Sequence, residues 1–225
     1  MLPKPEETWL SIDEATDVAA SLRHLGHCLK LAQTDQSAWK WSIIAIHNAL
    51  QGSMTCHLSG TALLGCLSKK SACEWLEWRE KDRRGEIGWI ESLPDEFGIP
   101  SRRPASKHDH APHQYMATPQ VLFDRLHKEK LRAEGGCGAI LSIALEQRKS
   151  FKLLNGLRNQ FAHFTPMGWS IEISGLPRIF NDMLAVIRMI SNDPWPFRHL
   201  DHAGRNAHDK LLDELIADVG SRRLV

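Results

Sequence analysis

Leu176, Ile179, Phe180, Met183, Leu184, Ile187 and Ile190 recur at three- and four-residue steps. This is the apolar stripe of a helix that must bury one side against something else. Other stretches repeat the pattern. Ile12, Ala15, Ala19, Leu22, Leu25 and Leu29 predict a helix over 13–32. Trp39, Ile43, Ile46, Leu50 and Met54 predict a second from Ser37, and Trp41, Ile44, Ala45 and Ala49 widen its apolar face into that of a central helix. Ala62, Leu63, Cys66, Leu67, Trp75 and Trp78 lead into the charged run Arg79 to Arg84. Helical pattern resumes at Val121, Leu122 and Leu126, and again at Ile140, Leu141, Ala144 and Leu145. Leu153, Leu157, Phe161 and Phe164 form a one-sided stripe, stopped by Thr165-Pro166. The expected fold is all-α: an up-and-down helical bundle forming a single domain over 1–225, with its core at about 13–190 and a C-terminal helix at about 205–220.

Two stretches depart from the helical period. Between Leu93 and Gln120 the prolines 94, 100, 104, 112 and 119 recur with Ser and His, which predicts a surface loop insertion over 93–120. Trp169 to Ile173 alternates apolar and polar, as a short extended piece does.

Charge and cysteine usage narrow the function classes. With 28 basic and 27 acidic residues the formal charge is +1, which argues against a protein that coats nucleic acid along its length. A single arginine can still hold one phosphate. The five cysteines include no CxxC pair, and their odd number suits a reducing compartment. No signal-like amino terminus is seen and charges interrupt every apolar run, so the expected location is the cytoplasm, with no membrane partner.

The chemistry concentrates in Arg158-Asn159-Gln160-Phe161-Ala162-His163. On a helix, Asn159 and His163 share a face at i, i+4, while Arg158 stands roughly 140° from His163 and must reach round to it. Neutral histidine can take the proton of a ribose 2′-hydroxyl, and its protonated form can give one to the leaving oxygen. Arginine can pair with the extra charge of the transition state, and asparagine can orient the imidazole. No metal or cofactor is needed. One helix supplies one histidine, so acid and base roles are filled most simply where two copies meet on a two-fold axis. Against this stands the bland explanation that Arg and His near a helix carboxyl end serve the helix dipole.

The segment Leu157 to Phe164 resembles the signature of HEPN domains, helical bundles in which Arg, four to six residues and His define the active site. Asn159 occupies the polar position that often follows the Arg. The stretch Trp39 to Leu50 also resembles an early helix of that family, and the likeness spans about Asp13 to Ile190. It implies a homodimer with a composite cleft and metal-independent endoribonuclease activity on an RNA substrate, in toxin–antitoxin, antiphage or RNA-processing settings, with Arg158, Asn159 and His163 at the site. An antitoxin or other regulatory protein would be a further partner. The alternative is a non-catalytic HEPN-like module that binds nucleotide, RNA or a protein.

Lesser candidates carry plainer explanations. Arg102, Arg103 and Lys107 are weak RNA-binding candidates in the insertion, where exposed loop charge is the default. His108, Asp109, His110 and His113 match no closed zinc set, so no metal site is assigned. Gly135-Gly136-Cys137-Gly138 lacks the Gly-Lys-Ser/Thr ending of a phosphate loop and is expected to be a turn. Cys137 would be a nucleophile only with a histidine beside it. Trp75, Trp78 and Trp89 are core volume first and stacking platforms second, and His47 is expected as a hydrogen-bonded core or rim histidine.

Overall fold

Four of the seven helices among the described residues begin at a polar residue whose side chain closes the first turn: Asp13, Ser68, Thr118 and Asp201. In the computed structural model, which describes residues 9–92, 101–132, 137–163, 168 and 170–222, α1 (Glu14–Leu31) is capped by Asp13, whose carboxylate accepts the Thr16 N–H at 2.7 Å. Next comes α2 (Ala38–Leu58), then α3 (Lys69–Arg83) capped by Ser68, and α4 (Pro119–His127) capped by Thr118 with proline in its first turn. The chain closes with α5 (Leu145–Ala162), α6 (Leu176–Ser191) and α7 (His202–Ser221). Two short strands, β1 (Trp89–Ser92) and β2 (Ser101–Pro104), pair antiparallel. The protein is an all-α helical bundle with one small β ribbon. No helix among the described residues is long and apolar enough to cross a membrane.

The central helix is α2, which packs against α1, α4, α5 and α6. Ile43, Ile46, Leu50 and Met54 on it are buried. Trp39 meets Phe180 of α6 with ring centroids 6.0 Å apart, and Phe123 of α4 stacks on Phe151 of α5 at 3.9 Å. Gly52 lets α1 and α2 touch, since a Cβ there would lie 2.7 Å from Val18 Cγ2. In Gly52→Ala, overpacking of about 1–3 kcal/mol should outweigh the ~1 kcal/mol gain in helix propensity. Chemical denaturation is expected to show a net loss; a stabilised variant would mean the two helices can part freely.

The stripe expected on α1 is shifted: Ile12 precedes the helix and is exposed, while Val18 and Cys28 join Leu22, Leu25 and Leu29 inside. On α5 the buried face is Ser150, Phe151 and Leu154, with Leu157 and Phe161 packed at its edge. Leu153, expected in the stripe, is 58% exposed, because stacking of Phe151 on Phe123 sets the rotation of the helix. Phe164, Thr165 and Pro166 lie outside the described residues.

The stretch expected to be a loop over 93–120 contains β2 and a 3-10 turn, Lys107–Asp109. Asp109 holds it together: its carboxylate accepts from the Gly88 and Ser106 N–H groups at 3.0 Å each and from the Ser106 hydroxyl at 2.6 Å. These donors, the Ser106 hydroxyl foremost, keep the Asp109 carboxyl below its usual range. Residues 93–100 lie outside the described set, as does Trp169 of the expected extended piece. Residues 170–173 form no strand, although Ile171 and Ile173 turn inward against the core.

Candidate active site

The last turns of α5 carry the Arg–Asn–His segment. The Arg158 guanidinium donates through Nη1 to Asn159 Oδ1 at 3.1 Å and, among the described residues, has no carboxylate within ion-pair distance. His163 is the C-cap: its N–H still donates to the Asn159 carbonyl at 2.9 Å, while its φ of −116° and ψ of 60° take the chain out of the helix. Arg158 is half-buried; Asn159 and His163 are exposed. Thus Arg158 and Asn159 are joined directly, and His163 stands at the open end of the same helix.

Antiparallel packing of α2 on α5 adds groups to this neighbourhood. His47 lies against Asn155, with Nε2 donating to Oδ1 at 3.1 Å, and Lys40 Nζ lies 6.0 Å from the Phe161 ring and 4.8 Å from the Trp41 ring. Trp41 is 48% exposed. Lys40 therefore places a cation beside the segment between Arg158 and His163, and Trp41 presents an aromatic surface next to it. The sequence reading missed both, as well as Asn155. His47 is the hydrogen-bonded core histidine expected for it.

On its other side Arg158 lines an open cleft of about 540 Å³ between α1 and α2, shared with Asn48 and Gln51 and with the carboxylates Asp13, Glu14 and Asp17. The arginine's charge also reaches His47. Burial, opposed by the Asn155 hydrogen bond and reinforced by Arg158, holds the His47 pKa down at about 4. Burial likewise depresses His57 and His208.

The sign of the resulting pH dependence is fixed. Between about 6.5 and about 4 the unfolded chain binds a proton at His47 that the folded chain refuses. Stability from this group is complete above pH 6.5 and falls as pH drops toward 4. Denaturant midpoints measured across this window should fall on acidification, and less steeply in His47→Gln. An unchanged slope in that variant would show that His47 is not the group responsible.

The remaining candidates sit elsewhere. Arg102 and Arg103 are on β2 and Lys107 follows in the 3-10 turn, all exposed. The ribbon leans on α3: Trp78 Nε1 donates to the Asp109 carbonyl at 3.0 Å, and Trp89 Nε1 to Asp82 at 2.8 Å. No hydrogen bond or ion pair among the described residues ties these three cations to α5. Trp75 stacks on Trp78 at 5.1 Å, Trp89 meets Trp78 edge-on, and Arg79 and Arg102 lie over the outer rings, so these tryptophans serve one another. His108, His110 and His113 are exposed, and among the described residues no three His, Cys, Asp or Glu side chains gather as metal ligands. Within the glycine-rich segment only Cys137 and Gly138 are described; 135 and 136 lie outside. His57 approaches this turn, with its Nε2 donating to the Ala139 carbonyl at 2.8 Å and its Nδ1 lying 3.8 Å from the Asp193 carboxylate. Comparison of the chain with protein-family models, with curated proteins and with solved structures finds no match.

Proposed function

We propose that the protein is a metal-independent endoribonuclease of HEPN type that works as a homodimer. The observation that carries this reading is the Arg158 guanidinium: half-buried, bonded among the described residues only to a neutral amide, and five residues before an exposed histidine at the end of the same helix. An arginine free of carboxylate partners can meet a phosphate. The imidazole of His163 in one copy removes the 2′-hydroxyl proton, the 2′-oxygen attacks phosphorus and the P–O5′ bond breaks. His163 of the second copy, protonated, returns a proton to the 5′-oxygen. Products are a 2′,3′-cyclic phosphate and a 5′-hydroxyl. Arg158 neutralises charge on the phosphorane-like transition state, and Lys40 and Trp41 offer a phosphate contact and a stacking surface beside it. The test is cleavage of single-stranded RNA in EDTA with identification of the product ends; dependence on a divalent metal, or 5′-phosphate products, defeats the mechanism.

One feature favours a second reading. Asp13, Glu14 and Asp17 share the Arg158 cleft, and such carboxylates repel RNA while suiting a protein partner with basic groups. In that case the protein is a non-catalytic module of the same type, and binding is seen without cleavage products.

A further inference from the structure

A second cavity lies away from α5, enclosed by α3, α4 and the 3-10 turns Leu64–Cys66 and Glu129–Leu131. Its volume is about 440 Å³, within the range of small-molecule sites. Leu64, Leu76 and Leu131 give it apolar walls. Its polar lining is cationic: Lys69, Arg125, Lys130 and Arg132, with no acidic side chain among the described residues that line it. In a chain with 28 basic and 27 acidic residues, such segregation is a local property of the cavity.

Arg125 is the decisive residue. It is only 5% exposed, and among the described residues its side-chain hydrogen bonds run from Nη1 to the carbonyls of Gly65 at 2.9 Å and Leu67 at 2.8 Å. Among the described residues Nε is buried without a partner and Nη2 makes no hydrogen bond. Arg125 lines the cavity with a guanidinium that keeps unused N–H capacity, and charge-assisted N–H···O bonds to a carboxylate or phosphate are the strong partners for such a group. Buried charges are ordinarily paired, yet among the described residues none of the four cations has a carboxylate within ion-pair distance. Arg132 spends its donors on the carbonyls of Arg125, Cys137, Gly138 and Ala139, which fixes its guanidinium beside the cavity, with the Asp193 and Glu129 carboxylates acting on its charge only from beyond ion-pair distance. Lys69 and Lys130 are exposed at the mouth.

We infer that this cavity binds a small amphipathic anion, a phosphate or carboxylate group on an apolar body, with the anionic group on Arg125 and Lys130 and the body against Leu64, Leu76 and Leu131. The site shares no residue with α5, and its occupancy does not depend on RNA cleavage.

The exposed Cys73 thiol lines the same cavity and serves as a reporter. Phenyl phosphate and octanoate are titrated separately into the full-length protein by calorimetry, and modification of Cys73 by a thiol reagent is timed with and without each. One saturable site is expected for at least one probe, with Kd below about 1 mM, weakened by salt, and accompanied by slower Cys73 modification. Which probe binds identifies phosphate or carboxylate as the natural group. Because Arg125 also anchors the Gly65–Leu67 turn, the variant used is Lys69→Ala/Lys130→Ala, whose side chains are exposed; it should bind at least about tenfold more weakly. Failure of both probes to saturate at about 10 mM, undiminished binding in the double variant, or unaltered Cys73 modification on binding overturns the assignment.

Discussion

Replacing His163 by alanine is expected to slow RNA cleavage by about 10²–10⁴-fold, the share of rate that a positioned general acid–base supplies, while the protein keeps its fold. The second half of that expectation follows from placement. His163 is an exposed capping residue whose backbone N–H closes the last turn of α5 on the Asn159 carbonyl, and alanine preserves that bond. Arg158→Ala is expected to cost about 10²–10³-fold, as loss of a group aimed at developing charge does. Because among the described residues Arg158 hydrogen-bonds only to the exposed Asn159, this variant too should unfold like the parent. Arg158→Lys retains charge but loses the planar fork and should recover only part of the activity. Cleavage that survives His163→Ala in a preparation free of contaminating nuclease would sink the enzymatic reading. Loss of activity accompanied by loss of thermal stability would instead indicate a structural histidine.

The helices were legible to very different degrees. For α6 both existence and phase could be read, since every residue of the expected stripe from Leu176 to Ile190 is buried. For α5 the period identified a helix but misjudged its rotation. Leu157 and Phe161 belong to both the expected and the observed face, and only the long-range stacking of Phe151 on Phe123 chooses between them. The β ribbon had no apolar alternation to announce it. Ser101 to Pro104 pairs with β1 because Asp109 and the Trp78–Trp89 contact hold the two strands together.

A similar division holds at the candidate site. Arg158, Asn159 and His163 stand within one helical turn and a half of each other, so a local reading could find them. Lys40, Trp41 and His47 arrive from α2, with His47 separated from its partner Asn155 by 108 positions. Nothing local distinguishes that histidine from its apolar neighbours. The cationic cavity is hidden for the same reason: Lys69, Arg125 and Arg132 come from separate elements, and Arg125 looks in sequence like any charged residue of a short amphipathic helix.

Gly138→Ala is expected to be the most damaging single-methyl change, costing about 2–5 kcal/mol. Gly138 has φ +79°, where an L-residue loses roughly 1–2 kcal/mol, and the added carbon must fit a space already filled. It would lie 2.6 Å from both the His57 carbonyl oxygen and Cε1, and 2.7 Å from Nδ1, an overpacking worth a further ~1–3 kcal/mol. Neither side can yield. The His57 ring is fully buried and donates from Nε2 to the Ala139 carbonyl. The Ala139 N–H is held by Asp193 at 2.6 Å, and Arg132 grips the carbonyls of Gly138 and Ala139. Thermal unfolding should fall by about 5–15 °C at this chain length. Gly156→Ala provides the contrast, because nothing lies within 4 Å of its added carbon in the middle of α5, and a gain of about 0.5–1 kcal/mol is expected there. If Gly138→Ala proved as stable as the parent, the turn would not be clamped between His57, Asp193 and Arg132. The wall those carbonyls build for Arg132 beside the cationic cavity would then lose its physical basis.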